Sequence, residues 1–277
     1  MAVNSIVAVV SDFGADSFYV GVMKGVVHAA APDCHVVDLT HSIRPHAVAE
    51  ASFVLDSAFD YFPPGTVFLT VVDPGVGGTR DNLVVAAGGR YLVGPDNGFA
   101  AEVLARANEP SCYVIDEAKI DPYRVAPPVG RTFLGRDVFA PAAAALACGT
   151  RPADIGSPVT SAPVTLDLPP VEVGAGRIAG RARYVDDFGN VLTGITADHL
   201  RSAFGDMDVR RIVAAVDGDG LGALCRYYSE RSPGTVMALL NAWDRVEVSV
   251  CEGRAADRFA GRPLHDVVIE LRAKGGR

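Results

Sequence analysis

Two acidic residues stand where a sheet edge would present them to a ligand. Asp12 follows the β-branched run Ile6–Val10, and Asp73 follows the run Val67–Val72. In open α/β sheets ligands bind beyond the carboxyl ends of strands, and a carboxylate there can accept two hydrogen bonds from a ribose diol. A lone Asp12 reads equally well as a turn or N-cap residue. The stretch VVDPGVGGTR at 71–80 says more. Pro74, Gly75, Gly77 and Gly78 let the backbone fold tightly, so that Arg80 can return to Asp73. An Asp–Arg pair beside a cavity holds an ionised carboxylate in a fixed direction, able to polarise a water. The plain alternative is an ion pair that only braces a loop.

A second set of polar and aromatic residues lies far along the chain. Asp186, Phe188 and Asn190 fall in the string DDFGN between two strand-like runs. An ordinary hairpin turn explains that string taken alone. In a functional reading, Asn190 meets a purine edge with a paired donor and acceptor, while Phe188 and Tyr228 supply flat faces. The common nucleotide and hydrolase motifs are missing: the glycines at 75–78 and 174–180 do not have G-x-G-x-x-G spacing, and there is no P-loop or G-x-S-x-G elbow.

The elements that must position these residues change in kind along the chain. From Ile6 to Cys148 strands and helical stretches alternate: strands at Ile6–Val10, His35–Asp38, Val67–Val72, Leu83–Ala87, Tyr91–Val93 and Cys112–Ile115. Helical patterns run from beyond Gly14 through about Ala31, and over Val48–Phe59, Phe99–Ala107 (with Asn97 as N-cap) and Val138–Cys148. Such alternation predicts an α/β domain, a sheet flanked by helices, over residues 1–160. Residues 161–175, rich in Pro, Val and Thr, read as a linker. Residues 176–277 carry short strands at Arg177–Tyr184, Val191–Ile195, Val209–Val216, Gly234–Leu240, Val246–Val250 and Val267–Leu271. These predict a smaller all-β barrel domain.

Composition narrows the function classes. The 277 residues include 49% hydrophobic and 21% charged residues with a net charge of −8, the balance of a globular protein without the basic face that nucleic acid or an anionic membrane requires. Five cysteines, none in C-x-x-C spacing, predict buried thiols in a reducing compartment, not disulfides or zinc ligands. No basic leader precedes Ile6, and the longest apolar run, Ala140–Cys148, is too short to span a bilayer. A cytoplasmic protein without membrane association is expected.

Seven ordered blocks resemble the S-adenosylmethionine (SAM) hydroxide adenosyltransferase family, the SAM hydrolases related to the fluorinating and chlorinating enzymes. They are SDFG with YVGVMKG at 11–25, VDLTHSIRP at 37–45, FPPGTV at 62–67, VVDPGVGGTR, GPDNG at 94–98, TFLGRDVFAPAAA at 132–144 and DDFGNVLTGI at 186–195. The resemblance implies SAM as substrate, no cofactor, and a homotrimer with active sites between subunits. It implies that Asp12 and Asp73 hold the ribose, that Asp186 faces the methionine amine, and that Asn190, Tyr228 and Glu247 serve the base or its surroundings. Ala242 and Val250 complete the implied substrate contacts. Hydrolases of the family carry Asp at the Asp73 position, where the halogenases carry Tyr, and share the Arg found here as Arg80.

Some family positions differ. The hydrolases usually read T-F-H-G-R-D, their His completing an Asp–Arg–His set around the water, whereas this chain has Leu134, which can neither accept a proton nor orient a water. His46 occupies a position that is aromatic in the halogenases. Ser17, beside Asp16, replaces an acid. Ala242 replaces a common Ser, and Gly194 an Asn. Three readings follow: a hydrolase working through Asp73 and Arg80, a SAM or adenosine binder with impaired chemistry, and a halogenase. The last must contend with Asp73 repelling an anion at the attacking position.

Overall fold

A computed structural model describes residues 5–128 and 130–274. The residues before Ser5, on which the reading of a missing leader partly rests, and the outer limits of both expected domains lie outside the described residues. The chain divides into two compact units between Leu166 and Asp167.

In the first unit the alternating pattern forms β1 (Ile6–Ser11), α1 (Phe18–Ala30), β2 (His35–Thr40), α2 (Val48–Phe59), β3 (Val67–Val71), β4 (Asn82–Ala87), β5 (Arg90–Pro95), α3 (Ala101–Arg106), β6 (Ser111–Ile115), α4 (Ala140–Ala147), α5 (Pro152–Ile155) and β7 (Gly156–Pro158). The seven strands lie in the order β2-β1-β3-β5-β4-β6-β7. β2, β1, β3 and β5 are parallel, and β4, β6 and β7 each run antiparallel to the strand before them in that order. Side chains alternate across the sheet. Val7, Val9, Val67 and Leu69 pack on one face with Met23 and Val27 of α1 and the alanines of α4. Ala8, Val10 and Phe68 pack on the other with Leu55 and Phe59 of α2 and Val103 of α3. Both faces are covered, which is why these strands read as unbroken apolar runs.

The chain leaves β1 toward β2 on one side and returns to β3 on the other, with α1 and α2 on opposite faces. The carboxyl ends of β1 and β3 are therefore a topological switch point, the place where open α/β sheets form a ligand crevice.

Two expectations change here. Asn97 does not cap α3, whose N-cap is Ala100. Its side chain instead accepts from the Phe99 N–H at 3.2 Å and donates to the Val72 carbonyl at 2.9 Å, tying the loop after β5 to the end of β3. The helix expected from Val138 opens one turn earlier and wider, over Gly135–Phe139, where the Ala140 N–H reaches the Gly135 carbonyl. A Cβ on Gly135 would stand 2.8 Å from Met23 Sδ, so the close approach of this turn to α1 requires glycine.

The second unit contains β8 (Glu172–Gly174), within the stretch read as linker, then β9 (Arg177–Val185), β10 (Val191–Thr196), α6 (Ala197–Phe204), β11 (Ile212–Val216), β12 (Asp219–Ala223), β13 (Val236–Leu240), β14 (Arg245–Val250) and β15 (Val268–Ala273). The antiparallel path runs β12-β11-β15-β9-β10-β14-β13, with β8 added beside β9. Its ends nearly close: just past β12, Cys225 bridges Leu239 of β13, donating its N–H to the Ala238 carbonyl at 2.8 Å. The barrel core gathers Ile178, Val191, Ile195, Val246, Val248 and Ile269.

The all-β expectation holds for this sheet but omits α6, a two-turn helix capped by Thr196 and His199. β12, rich in glycine, was hidden for the same reason that glycine weakens any strand pattern. β11 starts at Ile212, because Val209–Arg211 forms a separate turn capped by Asp208. Among the described residues no helix is long and apolar enough to cross a membrane.

Candidate functional site

Parallel pairing sets Ser11 of β1 opposite Val71 of β3. Asp12 and Asp73 therefore leave the same edge of adjacent strands, one and two residues beyond that register. The turn after Asp73 folds as the glycines require: the Val76 N–H reaches the Asp73 carbonyl at 3.2 Å, and the Gly78 N–H reaches the Gly75 carbonyl at 3.0 Å. Gly77 has φ +77°, and a Cβ there would stand 2.8 Å from the Arg131 carbonyl oxygen. The fold thus brings Arg80 back onto Asp73.

Arg80 Nε donates to Asp73 Oδ1 at 2.8 Å, and its second nitrogen donates to Oδ2, a bidentate fork. The Asp73 side chain is only 5% exposed and that of Arg80 13%, so the pair sits in a largely dry setting. The remaining Arg80 nitrogen donates to Asn82 Oδ1 at 2.6 Å and the Asp81 carbonyl at 3.1 Å. Phe139 lies beneath the guanidinium, 5.6 Å from ring centre to Cζ. One lone-pair direction on each Asp73 oxygen is left for a water or a hydroxyl.

Asp12 is half-buried and accepts the His46 backbone N–H on Oδ2 at 2.9 Å, with Oδ1 left for a ligand. His46 meets Asp12 through its main chain, held at φ +69°, and its ring is exposed. Asp16 is exposed and Ser17 half-buried at the start of α1. Leu134 is 4% exposed and belongs to the core between the sheet and α4.

In the barrel unit, the Asp186 carboxylate folds back on its own hairpin. Oδ1 accepts the Asn190 N–H at 2.8 Å, and Oδ2 accepts the Asn190 side-chain N–H at 2.9 Å. Asn190 is 7% exposed; its second side-chain N–H and its side-chain oxygen meet no partner among the described residues, and they are the pair that a purine edge would need. Phe188 stands at the tip, 77% exposed. Gly189 (φ +83°) packs against Arg254, and its carbonyl accepts the Ala256 N–H at 2.9 Å, which pins the tip.

Glu247, opposite Leu192 in the β10–β14 pair, is buried and accepts three hydrogen bonds. They come from Tyr228 Oη at 2.6 Å, Ser249 Oγ at 2.8 Å and Asn241 Nδ2 at 2.8 Å. Burial pushes the Tyr228 phenol well up from its ordinary range; the hydrogen bond to Glu247 and the charges of Glu247 and Asp186 add to the rise. Tyr228 thus stays a neutral donor locked onto Glu247, its ring edge exposed. Asn241 Oδ1 accepts from the Trp243 and Arg245 N–H groups at 2.9 and 3.1 Å, shaping the turn that carries the exposed Ala242. Val250, half-buried, ends β14. Asn82, Asn241 and Ser249 escaped the sequence reading, and Asn97 entered it only as a helix cap, because each acts by supporting a neighbour and carries no spacing signal of its own.

The SAM hydroxide adenosyltransferase N-terminal domain model matches residues 7–156, and the C-terminal domain model of the same family matches residues 180–268. The chain belongs to that family. A protein from Thermus thermophilus named (R)-S-adenosyl-L-methionine hydrolase is 36% identical over 252 residues, covering 89% of this chain and 92% of its own. A fluorinase from Actinopolyspora mzabensis is a more distant relative, 27% identical over 224 residues, covering 72% of this chain and 74% of its own. Among solved structures, an uncharacterized conserved protein from Thermotoga maritima superposes with a TM-score of 0.86 at 30% identity, covering 96% of this chain and 99% of that one. The expected family and the two-part α/β and barrel architecture are both borne out.

Proposed function

We propose that this protein hydrolyses SAM to adenosine and methionine by attack of water at C5′, using Asp73 and Arg80. The largely enclosed fork between those two residues, at the switch point beside Asp12, carries this reading. Membership of the hydroxide adenosyltransferase family and the hydrolase relative support it.

In the reaction the C5′–S bond breaks, its electron pair returning to sulfur as the thioether of methionine. A C5′–O bond forms, and one water proton leaves through the Asp73 carboxylate to solvent. A sulfonium is already a good leaving group, so the site's task is to position and partly desolvate the nucleophile. Arg80 fixes the Asp73 carboxylate so that a free lone pair can accept a hydrogen bond from the water. Asp12 and Asp73 hold the ribose diol. Asp186 faces the methionine amine, and Asn190, Phe188, Tyr228, Ala242 and Val250 meet the nucleoside, with Glu247 setting Tyr228. No cofactor enters this scheme. The working form is proposed to be a cytoplasmic homotrimer.

The burial of Leu134 favours a second reading, a SAM or adenosine binder with weak chemistry, because an apolar side chain in the core gives the water no third polar neighbour. Incubating the protein with each sulfonium epimer of SAM, with and without chloride or fluoride, and chromatographing the products separates the readings. Adenosine and methionine from the (R) epimer, the one in the relative's name, support hydrolysis. Tight binding without turnover supports the binder, and a 5′-halo-5′-deoxyadenosine would overturn both.

A further inference from the structure

The loop that carries Asp12 is held from below by a chain of side chains that the proposed chemistry does not use. Lys24 Nζ donates to Asp38 Oδ2 at 2.8 Å, Asp38 Oδ1 meets His41 Nε2 at 3.1 Å, and His41 Nδ1 meets Ser11 Oγ at 2.8 Å. Ser11 Oγ in turn accepts the Phe13 N–H at 3.4 Å. One tautomer satisfies every link: His41 carries its proton on Nε2 and donates to Asp38, while Nδ1 accepts the Ser11 hydroxyl. That leaves the Ser11 oxygen to receive Phe13.

The order Ser–His–Asp is that of a nucleophilic relay, but Ser11 has no exposed surface and His41 is 6% exposed. No substrate can reach that hydroxyl. The chain serves the backbone instead. The His41 carbonyl accepts the Gly14 N–H at 2.8 Å, so His41 grips the 11–14 loop on both sides of Asp12. The same post-β2 loop supplies the His46 N–H to the Asp12 carboxylate. Asp12 is thus flanked by anchored residues and aimed by a third bond, all from residues 41–46.

We propose that His41 is the positioning residue for Asp12, setting the direction of the carboxylate that holds the ribose diol, with Asp38 and Lys24 fixing its ring. The inference rests on the reading of Asp12 as a diol ligand. His41 touches no substrate, and its effect is confined to recognition of the two ribose hydroxyls.

The test compares the affinity of the 277-residue protein for adenosine and for 2′,3′-dideoxyadenosine, which lacks those hydroxyls, by calorimetry. In the parent the diol should be worth about tenfold or more in affinity, the value of a hydrogen bond to a charged group. His41→Gln and Ser11→Ala should bind the dideoxy compound as the parent does but lose most of the preference for adenosine. Adding His41→Gln to Asp12→Ala should bring no further loss. Retained preference in a His41→Gln protein that unfolds at the parental temperature would overturn the proposal, and so would an equal loss for both ligands. If Asp12→Ala itself keeps the parental preference, the diol reading of Asp12 fails first and the His41 proposal with it. Should His41→Gln fold poorly, Asp38→Ala decides the matter, since it frees the His41 ring while leaving the Ser11–Phe13 bond in place, and a parental preference there would overturn the proposal.

Discussion

Asp73 and Arg80 hold each other through two hydrogen bonds in a setting that excludes most water. Asp73→Asn keeps the size but removes the charge and one acceptor, leaving Arg80 with a single amide oxygen at position 73, Asn82 and the Asp81 carbonyl. We expect stability to fall by about 2 kcal/mol, the value of a charged hydrogen bond, measured by denaturant unfolding. Turnover should fall by about 100-fold or more, since the carboxylate is the group poised to take the water's proton. Leu134→His tests the missing third group. Because Leu134 packs in the core, an imidazole there should cost about 1–3 kcal/mol of stability. Steady-state kinetics should nevertheless show a higher turnover. An unchanged rate in a folded variant would mean that the third group is not what limits the chemistry.

The acids and Arg80 were legible as residues because their types and spacing are unusual. The supports were not. Asn97 looked like a helix cap because its position before a helical run fits that pattern, yet the Val72 carbonyl at the end of β3 drew it away. Nothing in the sequence orders Ser11, His41, Asp38 and Lys24 into a chain, because parallel pairing of β1 and β2 assembles it across distant positions.

At the scale of elements, β1 to β6 were readable to within one or two residues because apolar and β-branched runs mark them, whereas β7, three residues long at the sheet edge, carries no such run. α6 was not readable either. Its eight residues are too few for a helical period to stand out beside strands, and its stability rests on a capping box. In that box Thr196 Oγ1 accepts the His199 N–H, and His199 Nδ1 accepts the Thr196 N–H at 3.0 Å. Burial holds the His199 imidazole below its ordinary range; Arg245 adds to this, and Asp198 opposes it.

A group protonated more readily when unfolded stabilises the fold above its unfolded value, and that contribution is lost as pH falls through the folded one. The cap should therefore be fully present above about pH 6.5 and weaken below it. Melting temperatures followed from pH 8 to pH 5 should fall more steeply for the parent than for His199→Gln. Equal slopes would show that His199 does not couple the cap to pH.

For the whole molecule, the chain holds an α/β unit in which two adjacent parallel strands lead into carboxylates, and a barrel unit with a buried, triply hydrogen-bonded Glu247 and a hairpin fixed by Asp186 and Asn190. The two-part plan was visible in the sequence through its change from strand–helix alternation to short strands, and blocks such as VVDPGVGGTR and GPDNG sit at strand ends where backbone geometry restricts the residue type. The plan's central claim is that water oxygen becomes the 5′-hydroxyl of adenosine. Turnover of SAM in water enriched in oxygen-18, followed by mass spectrometry of the products, tests that claim directly. The account predicts the heavy oxygen in the adenosine 5′-hydroxyl and none in methionine. Unlabelled adenosine, or 5′-methylthioadenosine with label in homoserine, would contradict it.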